Sequence, residues 1–181
     1  MSTLVKRVVI TGSECTGKTT LAGFLARLRG ALLVHEFVRE YAAAKGAPID
    51  VSDHWPIVRG QALAEQGALA RARAAGHRLL VLDTDLLSTV TYAHHYTGQC
   101  DPGIEALAQE RVADHYLLLN IDVPWQPDGV RDRGDRREEV HGAFIDTLER
   151  FGAPYTLVSG SWDERLATAL RVIDDLLDRH P

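Results

Sequence analysis

The stretch ITGSECTGKTTLAGFLARL (Ile10–Leu28) is the most informative part of this chain for its fold. It starts at the end of a β-branched apolar run, crosses a glycine-containing loop and enters a segment of helical apolar periodicity. Gly12, Gly17, Lys18 and Thr19 satisfy the pattern G-x-x-x-x-G-K-[ST]. Glycines let the backbone wrap around a phosphate, and the following helix points its positive end at that phosphate. The stretch therefore predicts a strand, a phosphate-binding loop and a helix, which together form a P-loop.

The residue types in this loop predict how it would hold a nucleotide. Lys18 is expected to reach the β- and γ-phosphates of ATP, and the Thr19 hydroxyl is expected to bind Mg²⁺. The other residues predicted to contact the nucleotide here are Gly12, Ser13, Glu14, Cys15, Thr16, Gly17 and Thr20. The alternative is a glycine-rich turn with a surface lysine, which the strand before the loop and the helix after it disfavour.

The rest of the chain alternates short apolar runs with segments of helical periodicity. The apolar runs predict five strands, at Leu4–Ile10, Ala31–Phe37, His77–Asp85, His115–Val123 and Pro154–Gly160. Helices are predicted over 52–75, 86–96, 104–112 and about 166–177. Apolar strands separated by helices indicate a parallel sheet covered on both faces. We therefore predict one α/β domain over residues 1–181, a three-layer α/β/α P-loop NTPase fold around a five-stranded parallel sheet.

The composition disfavours two classes of partner. Lys and Arg number 20 and Asp and Glu 25, so the formal net charge is −5 and nucleic acid is not an expected partner. No apolar run approaches the roughly 20 residues that span a membrane, so no membrane partner is expected. The two cysteines, Cys15 and Cys100, form no paired motif, which favours a reducing compartment. We expect a cytoplasmic protein that acts on a small molecule, and the oligomeric state stays open.

Two aspartates follow the predicted third strand. Asp83 and Asp85 come directly after the run LLVL, at the carboxyl end where parallel sheets bind ligands. Because residues two apart in a strand point to the same side, both carboxylates are expected to face the magnesium region. Asp83 is predicted to hold Mg²⁺ together with Thr19, and Asp85 to position the substrate hydroxyl. The alternative is that one or both cap the following helix, since aspartate is a favoured N-cap.

A polar cluster follows the predicted second strand, in HEFVREYA (His35–Ala42). A carboxylate here could accept the proton of an attacking hydroxyl, with Glu36 as the first choice and Glu40 as the second. The substrate-binding set predicted from this cluster comprises Glu36, Arg39, Glu40 and Tyr41. The alternative is a solvated helix start with a weak Glu–Arg surface pair. Tyr92, on the helix after the third strand, is expected in the core or in the wall of the substrate pocket.

An arginine-rich segment, VPWQPDGVRDRGDRREEV (Val123–Val140), follows the predicted fourth strand. This pattern is typical of a mobile lid, about 124–140, that brings arginines to a transferring phosphoryl group, because guanidinium binds phosphate oxygens bidentately. We expect Arg131 to act on the transferring group and Arg136 to contact the nucleotide. The alternative is a charged loop whose acidic and basic residues neutralise one another.

Five motifs run in order from the first strand to the lid: GSECTGKTTL, EFVREYA, GQALAEQ (Gly60–Gln66), DTDLLSTVTYAHHYTG and NIDVPWQPDGVRDRG. Together they resemble the nicotinamide riboside kinase domain of NadR-type NAD-biosynthesis proteins. The P-loop alone is generic, whereas D-T-D and D-x-P-W-x-x-D-G-x-R are much more specific to that group. The resemblance implies a kinase-like P-loop fold with an arginine-containing lid, and ATP-dependent phosphorylation of a ribosyl hydroxyl.

The resemblance also implies roles for individual residues. The nucleotide and Mg²⁺ site carried over by motif consists of Gly12, Gly17, Lys18 and Thr19. The D-T-D pair is Asp83 and Asp85, and the segment before and within the lid supplies Trp125, Asp128 and Arg131. Trp125 either stacks on a flat ring of the substrate or pins the loop to the core.

These observations predict a kinase that transfers the γ-phosphate of ATP to the 5′-hydroxyl of nicotinamide riboside, giving nicotinamide mononucleotide. The first alternative is a kinase for another nucleoside or for a nucleoside monophosphate, whose phosphate Arg39 could bind. The second alternative is a P-loop nucleotide-dependent switch or binding protein. The residues alone do not decide among these three.

Overall fold

Five strands form one parallel sheet in the computed structural model, which describes residues 4–123 and 136–179. The strands are β1 (Lys6–Thr11), β2 (Leu32–Val34), β3 (Leu79–Asp83), β4 (His115–Leu119) and β5 (Tyr155–Val158). Their spatial order is β2-β3-β1-β4-β5. The predicted five-stranded parallel sheet is confirmed, and β1, which leads into the glycine loop, is its central strand.

Helices cover both faces of this sheet, which confirms the three-layer prediction. They are α1 (Lys18–Leu28), α2 (Phe37–Lys45), α3 (His54–Ala75), α4 (Leu86–Thr97), α5 (Pro102–Glu110), α6 (Arg137–Arg150) and α7 (Trp162–Asp178). Helices α1 and α7 pack on one face, where Leu25 and Ile173 belong to the same buried cluster as Ile10 of the sheet. Helices α3 to α6 pack on the other face, where Phe144 and Tyr116 are buried together.

Several predicted boundaries differ from the observed ones because polar residues end the elements early. The second strand stops at Val34, since Glu36 is already the N-terminal cap of α2. The predicted helix start at Ser52 is a 3-10 turn, Val51–Asp53, capped by Asp50, and α3 follows it directly. Such shifts of a few residues are expected at element ends.

The loops that follow the five strands all lie at one edge of the sheet, as they must when parallel strands share a direction. The edge therefore collects the glycine loop after β1, the start of α2 after β2 and the aspartates after β3. Among the described residues, no helix combines the length and the apolar character needed to cross a membrane.

Candidate active site

Three residues of the glycine loop (Gly12–Gly17) have a positive φ, and two of them are the glycines of the motif. Gly12 has φ +128°, and a Cβ atom there would lie 2.9 Å from the carbonyl oxygen of Leu119 in β4. Gly17 has φ +89° and is the N-terminal cap of α1. Cys15, with φ 54°, is a non-glycine residue in the left-handed region. The spacing of the two glycines thus reflects backbone geometry, which turns β1 tightly into α1.

Lys18 lies across the inside of this loop. Its ammonium donates a hydrogen bond of 2.7 Å to the carbonyl oxygen of Ser13, and the Thr16 hydroxyl donates one of 2.9 Å to the same oxygen. The lysine is only 6% exposed. A buried positive charge therefore stands beside the backbone N–H groups at the start of α1, an arrangement that favours a bound anion.

Asp83 lies at the end of β3, next to the start of α1. It is 1% exposed, and burial raises the pKa of its carboxyl group while a hydrogen bond from Thr19 opposes that rise. Its Oδ1 atom is buried and has no hydrogen-bond partner among the described residues. Carboxylate and hydroxyl oxygens are ligands that Mg²⁺ prefers. Asp83 and Thr19 therefore form the pair that could hold a cation.

Asp85 does not share a side with Asp83, so the expectation that both carboxylates face one region is wrong. The strand ends at Asp83, and Thr84 has φ 66°, which breaks the alternation of side chains. The Asp85 carboxylate accepts a hydrogen bond of 2.6 Å from the hydroxyl of Tyr116 and one of 3.0 Å from the N–H of Leu87. It is the N-terminal cap of α4. Burial raises its pKa to about 6. The predicted contact of Asp85 with substrate stays a prediction.

The start of α2 brings a second carboxylate to the site. Glu36 is buried, and its charge contributes to the raised pKa of Asp83, so the ends of β2 and β3 are electrostatically coupled. The Nε atom of Arg39 donates a hydrogen bond of 2.5 Å to the Glu36 carboxylate, while half of the arginine side chain stays exposed. The pair is therefore not the fully solvated one of the alternative, because its acidic partner is buried.

The other members of the predicted acceptor set lie in different surroundings. Glu40 is exposed on α2. The Tyr41 hydroxyl donates 2.7 Å to Asp53, and this hydrogen bond raises the pKa of the tyrosine. Tyr92 packs edge-on against Phe144 of the core, with ring centroids 5.5 Å apart, and its predicted contact with substrate stays a prediction. Only Glu36 and Arg39 of this set are thus linked to the aspartate at the end of β3.

Two arginines at the start of α6 lie beside the glycine loop. A small cavity is lined by Ser13, Glu14, His95, Tyr96, Arg136, Arg137 and Val140. Arg136 also pairs with Glu139, at 2.8 Å. Arg137 donates to the carbonyl oxygens of Val123 at 2.6 Å and Cys15 at 3.4 Å. The predicted arginine contribution to the nucleotide side therefore has a position next to the loop, whereas Trp125, Asp128 and Arg131 lie outside the described residues.

Arg165, in the first turn of α7, is a residue of this site that sequence reasoning missed. It is 2% exposed and donates to the carbonyl oxygens of Thr16 at 3.1 Å, Asn120 at 3.1 Å and Gly160 at 2.9 Å. It also pairs with Asp122. One guanidinium thus joins the loops after β1, β4 and β5. The sequence signal for this role is an arginine in the first turn of a helix. A positive charge is unfavourable there because of the helix dipole, so it indicates that the arginine has partners elsewhere in the fold.

Known proteins resemble this chain over nearly its whole length. The trifunctional NAD biosynthesis/regulator protein NadR of Escherichia coli (strain K12) is 26% identical over 180 residues, which cover 96% of this chain and 43% of that protein. The NadR protein of Salmonella typhimurium (strain LT2) is 25% identical with the same coverage. The chain thus spans less than half the length of these relatives, and the resemblance to NadR-type proteins is confirmed.

Solved structures resemble it as well. A NadR protein in complex with NR matches with a TM-score of 0.84 and 25% identity, over 97% of this chain and 52% of that one. A NadR protein in complex with NAD and AMP-PNP matches with a TM-score of 0.81 and 23% identity, over 97% of this chain and 50% of that one. Thymidylate kinase from Ehrlichia chaffeensis matches with a TM-score of 0.66 and 16% identity, over 96% of this chain and 99% of that one. This match shows a shared fold alone.

These matches support a P-loop kinase. Residues 7–165, which include that loop and end at the arginine of α7, match the model of a family described as the AAA domain. This match covers far more than half of the chain, and the chain belongs to the AAA domain family.

Proposed function

We propose that this protein is a kinase that transfers the γ-phosphate of ATP to the 5′-hydroxyl of nicotinamide riboside. The observation that carries the proposal is the coupling of two half-sites at one sheet edge. The glycine loop with Lys18 follows β1, and Glu36 follows β2 close enough to influence Asp83 between them. The NadR protein solved in complex with NR supports this acceptor.

The donor half of the proposal rests on the glycine loop. The backbone N–H groups of the loop and the Lys18 ammonium would bind the phosphates of ATP. The Oδ1 atom of Asp83, which is buried and has no hydrogen-bond partner in the described part of the chain, and the adjoining Thr19 hydroxyl fit Mg²⁺. The ion would neutralise charge on the phosphates when bound. Within residues 4–123 and 136–179, no three His, Cys, Asp or Glu side chains are grouped for a metal, so phosphate and water would complete the ligands.

The acceptor half rests on Glu36. Its carboxylate would accept the proton of the 5′-hydroxyl while that oxygen attacks the γ-phosphorus. The new bond joins the 5′-oxygen to phosphorus, the bond from phosphorus to the β-phosphate oxygen breaks, and ADP leaves with the electron pair. Arg39 would hold the Glu36 carboxylate in place through their 2.5 Å hydrogen bond. Lys18 would stabilise negative charge on the transferring group.

The test is ADP release from ATP in the presence of separate acceptors. The panel contains nicotinamide riboside, thymidine, cytidine and the corresponding 5′-monophosphates, with each product confirmed by mass spectrometry. Nicotinamide riboside should give the highest kcat/KM. Release that neither a nucleoside nor a monophosphate stimulates would overturn the kinase proposal and favour a nucleotide-dependent switch.

A nucleoside monophosphate is the second candidate acceptor. The observation that favours it is Arg39, whose side chain is half exposed at the acceptor side and carries the positive charge that a 5′-phosphate needs. Higher kcat/KM for a monophosphate than for its nucleoside in the same panel would select this candidate.

A further inference from the structure

The start of helix α2, directly after Glu36, has few anchors within the helix itself. None of the nine residues of this helix is buried, and Glu36 provides no side-chain cap for its first N–H groups. The first N–H groups of any helix lack partners within the helix and need acceptors from elsewhere. Contacts between the start of α2 and the neighbouring helix α3 therefore contribute to the position of Glu36.

Gln61 of α3 supplies the missing acceptor. Its Oε1 atom accepts a hydrogen bond of 3.0 Å from the N–H of Phe37, the first residue of α2. Gln61 is 4% exposed, so water does not replace this contact easily. The contact joins residues 24 positions apart and lies one residue from Glu36.

The Gln61 amide is held in one orientation by a second buried side chain. Its Nε2 atom donates a hydrogen bond of 3.3 Å to the carboxylate of Glu65, which lies one helical turn further along α3. Glu65 also accepts 3.3 Å from Arg111, at the end of α5. Because a carboxylate accepts hydrogen bonds, it selects the NH₂ side of the amide and leaves the oxygen for Phe37.

Gly60, the neighbour of Gln61, receives the ring of Phe37. A Cβ atom at Gly60 would lie 2.1 Å from Cε1 of that ring, so the ring packs directly on the α3 backbone. Gly60 and Gln61 together hold both the side chain and the N–H of Phe37. This gives a structural reason for the motif GQALAEQ (Gly60–Gln66), which the kinase chemistry above does not use.

We propose that Gln61 is a positioning residue for phosphoryl transfer, acting through Phe37 on Glu36, with Glu65 orienting its amide. The proposal rests on the proposed function. The far end of α2 has its own anchors, because Lys45 donates to Asp50 at 2.9 Å and also to Asp53. Losing Gln61 should therefore displace the start of the helix while its end stays attached.

The test compares Gln61→Met, which removes both hydrogen bonds at similar side-chain volume, with Lys45→Gln, which weakens the opposite end of the same helix. Gln61→Met should lower kcat by about tenfold to a hundredfold with an unchanged KM for ATP, the range expected for a misplaced catalytic group. Lys45→Gln should keep a kcat close to the wild-type value. An equal loss of kcat in both variants would overturn the proposal, because it would show only a general weakening of α2.

The double variant Gln61→Glu/Glu65→Gln provides the rescue. It reverses donor and acceptor within this pair. The carboxylate at 61 accepts from the N–H of Phe37 and from the amide NH₂ at 65, and the amide oxygen at 65 accepts from Arg111. We expect this variant to recover most of the kcat lost in Gln61→Met. Failure to recover, in a protein that unfolds at the wild-type urea concentration, would contradict the positioning role.

A measurement without turnover separates this proposal from the proposed function. Amide hydrogen exchange at Phe37 should be faster in Gln61→Met than in the wild type, whatever acceptor the enzyme uses. A wild type that phosphorylates no acceptor would overturn the proposed function alone. Unchanged exchange at Phe37 would overturn the anchor itself.

Discussion

The guanidinium of Arg165 donates a hydrogen bond of 3.1 Å to the carbonyl oxygen of Thr16, across 149 positions of the chain. The arginine belongs to the first turn of α7 and the threonine to the glycine loop. Because the same side chain also bonds Asn120 and Gly160, it ties the glycine loop to the ends of β4 and β5. Arg165 therefore stabilises the glycine loop from the side of α7.

Replacing Arg165 by Met should lower the free energy of unfolding by about 3 kcal/mol, because it leaves Asp122 and three carbonyl oxygens without their partner. It should also raise the KM for ATP, since the loop loses its support. The matched control is Arg29→Met, which removes the more exposed pair between Arg29 and Asp174 of α7 and should cost at most about 1 kcal/mol. Urea denaturation and ATP titrations measure both effects. Equal losses in the two variants would contradict this account.

Replacing Lys18 by Met should lower kcat by at least about a hundredfold, because a charge that stabilises the transferring phosphoryl group is lost. The fold should persist, since the methionine fills the same space. Lys6 is a suitable control because it is a buried lysine at the opposite end of β1, paired with Asp114 at 3.1 Å. Lys6→Met should reduce stability and leave kcat near the wild-type value. Steady-state kinetics that ranked the two variants the other way would exclude this role of Lys18.

Replacing Glu36 by Gln should lower kcat by about a hundredfold or more, with little change in the KM for ATP, because the amide cannot accept the hydroxyl proton. Glu40→Gln should have a smaller effect, since Glu40 is exposed and has no described link to Asp83. Kinetics with saturating ATP and varied nucleoside compare the two. A larger loss in Glu40→Gln would assign the acceptor side to the second choice.

Stability should fall as the pH rises from about 4.5 towards 7. Burial, followed by the charge of Asp85, raises the pKa of Glu65 from 4.5 to about 7. The folded protein then binds this proton more tightly than the unfolded chain does, so the free energy of unfolding decreases through this interval. Asp85, with its pKa raised to about 6, should add to the same trend.

Glu65→Gln tests this pH dependence because it removes one ionisation and keeps an oxygen for Arg111. Its unfolding free energy, measured in urea between pH 4.5 and 7.5, should fall less than that of the wild type. The control is Glu110→Gln, which changes an exposed glutamate and should keep the wild-type slope. Parallel slopes for Glu65→Gln and the wild type would show that burial of Glu65 is not the cause.

Local features of the fold were predictable, whereas the pairing of distant polar groups was not. The spacing of Gly12 and Gly17 predicts a loop whose backbone needs a positive φ at these positions. The apolar runs predict buried parallel strands. The expectation that Asp83 and Asp85 share a side failed because the strand ends at Asp83, two residues before its predicted end, and Thr84 adopts a left-handed conformation. A period of two holds only while the strand continues.

The glycine loop, the parallel sheet and the acidic residue at the end of β3 are readable in the amino-acid order, because they follow from short-range backbone geometry and from apolar periodicity. The hydrogen bonds from Arg165 to Thr16 and from Phe37 to Gln61 arise only when the chain is folded. Each of these contacts joins a donor on one element to an acceptor on another, and the side chain of Arg165 or Gln61 that makes it is buried. Such partners are selected by how the elements pack, and no local period along the chain records that choice.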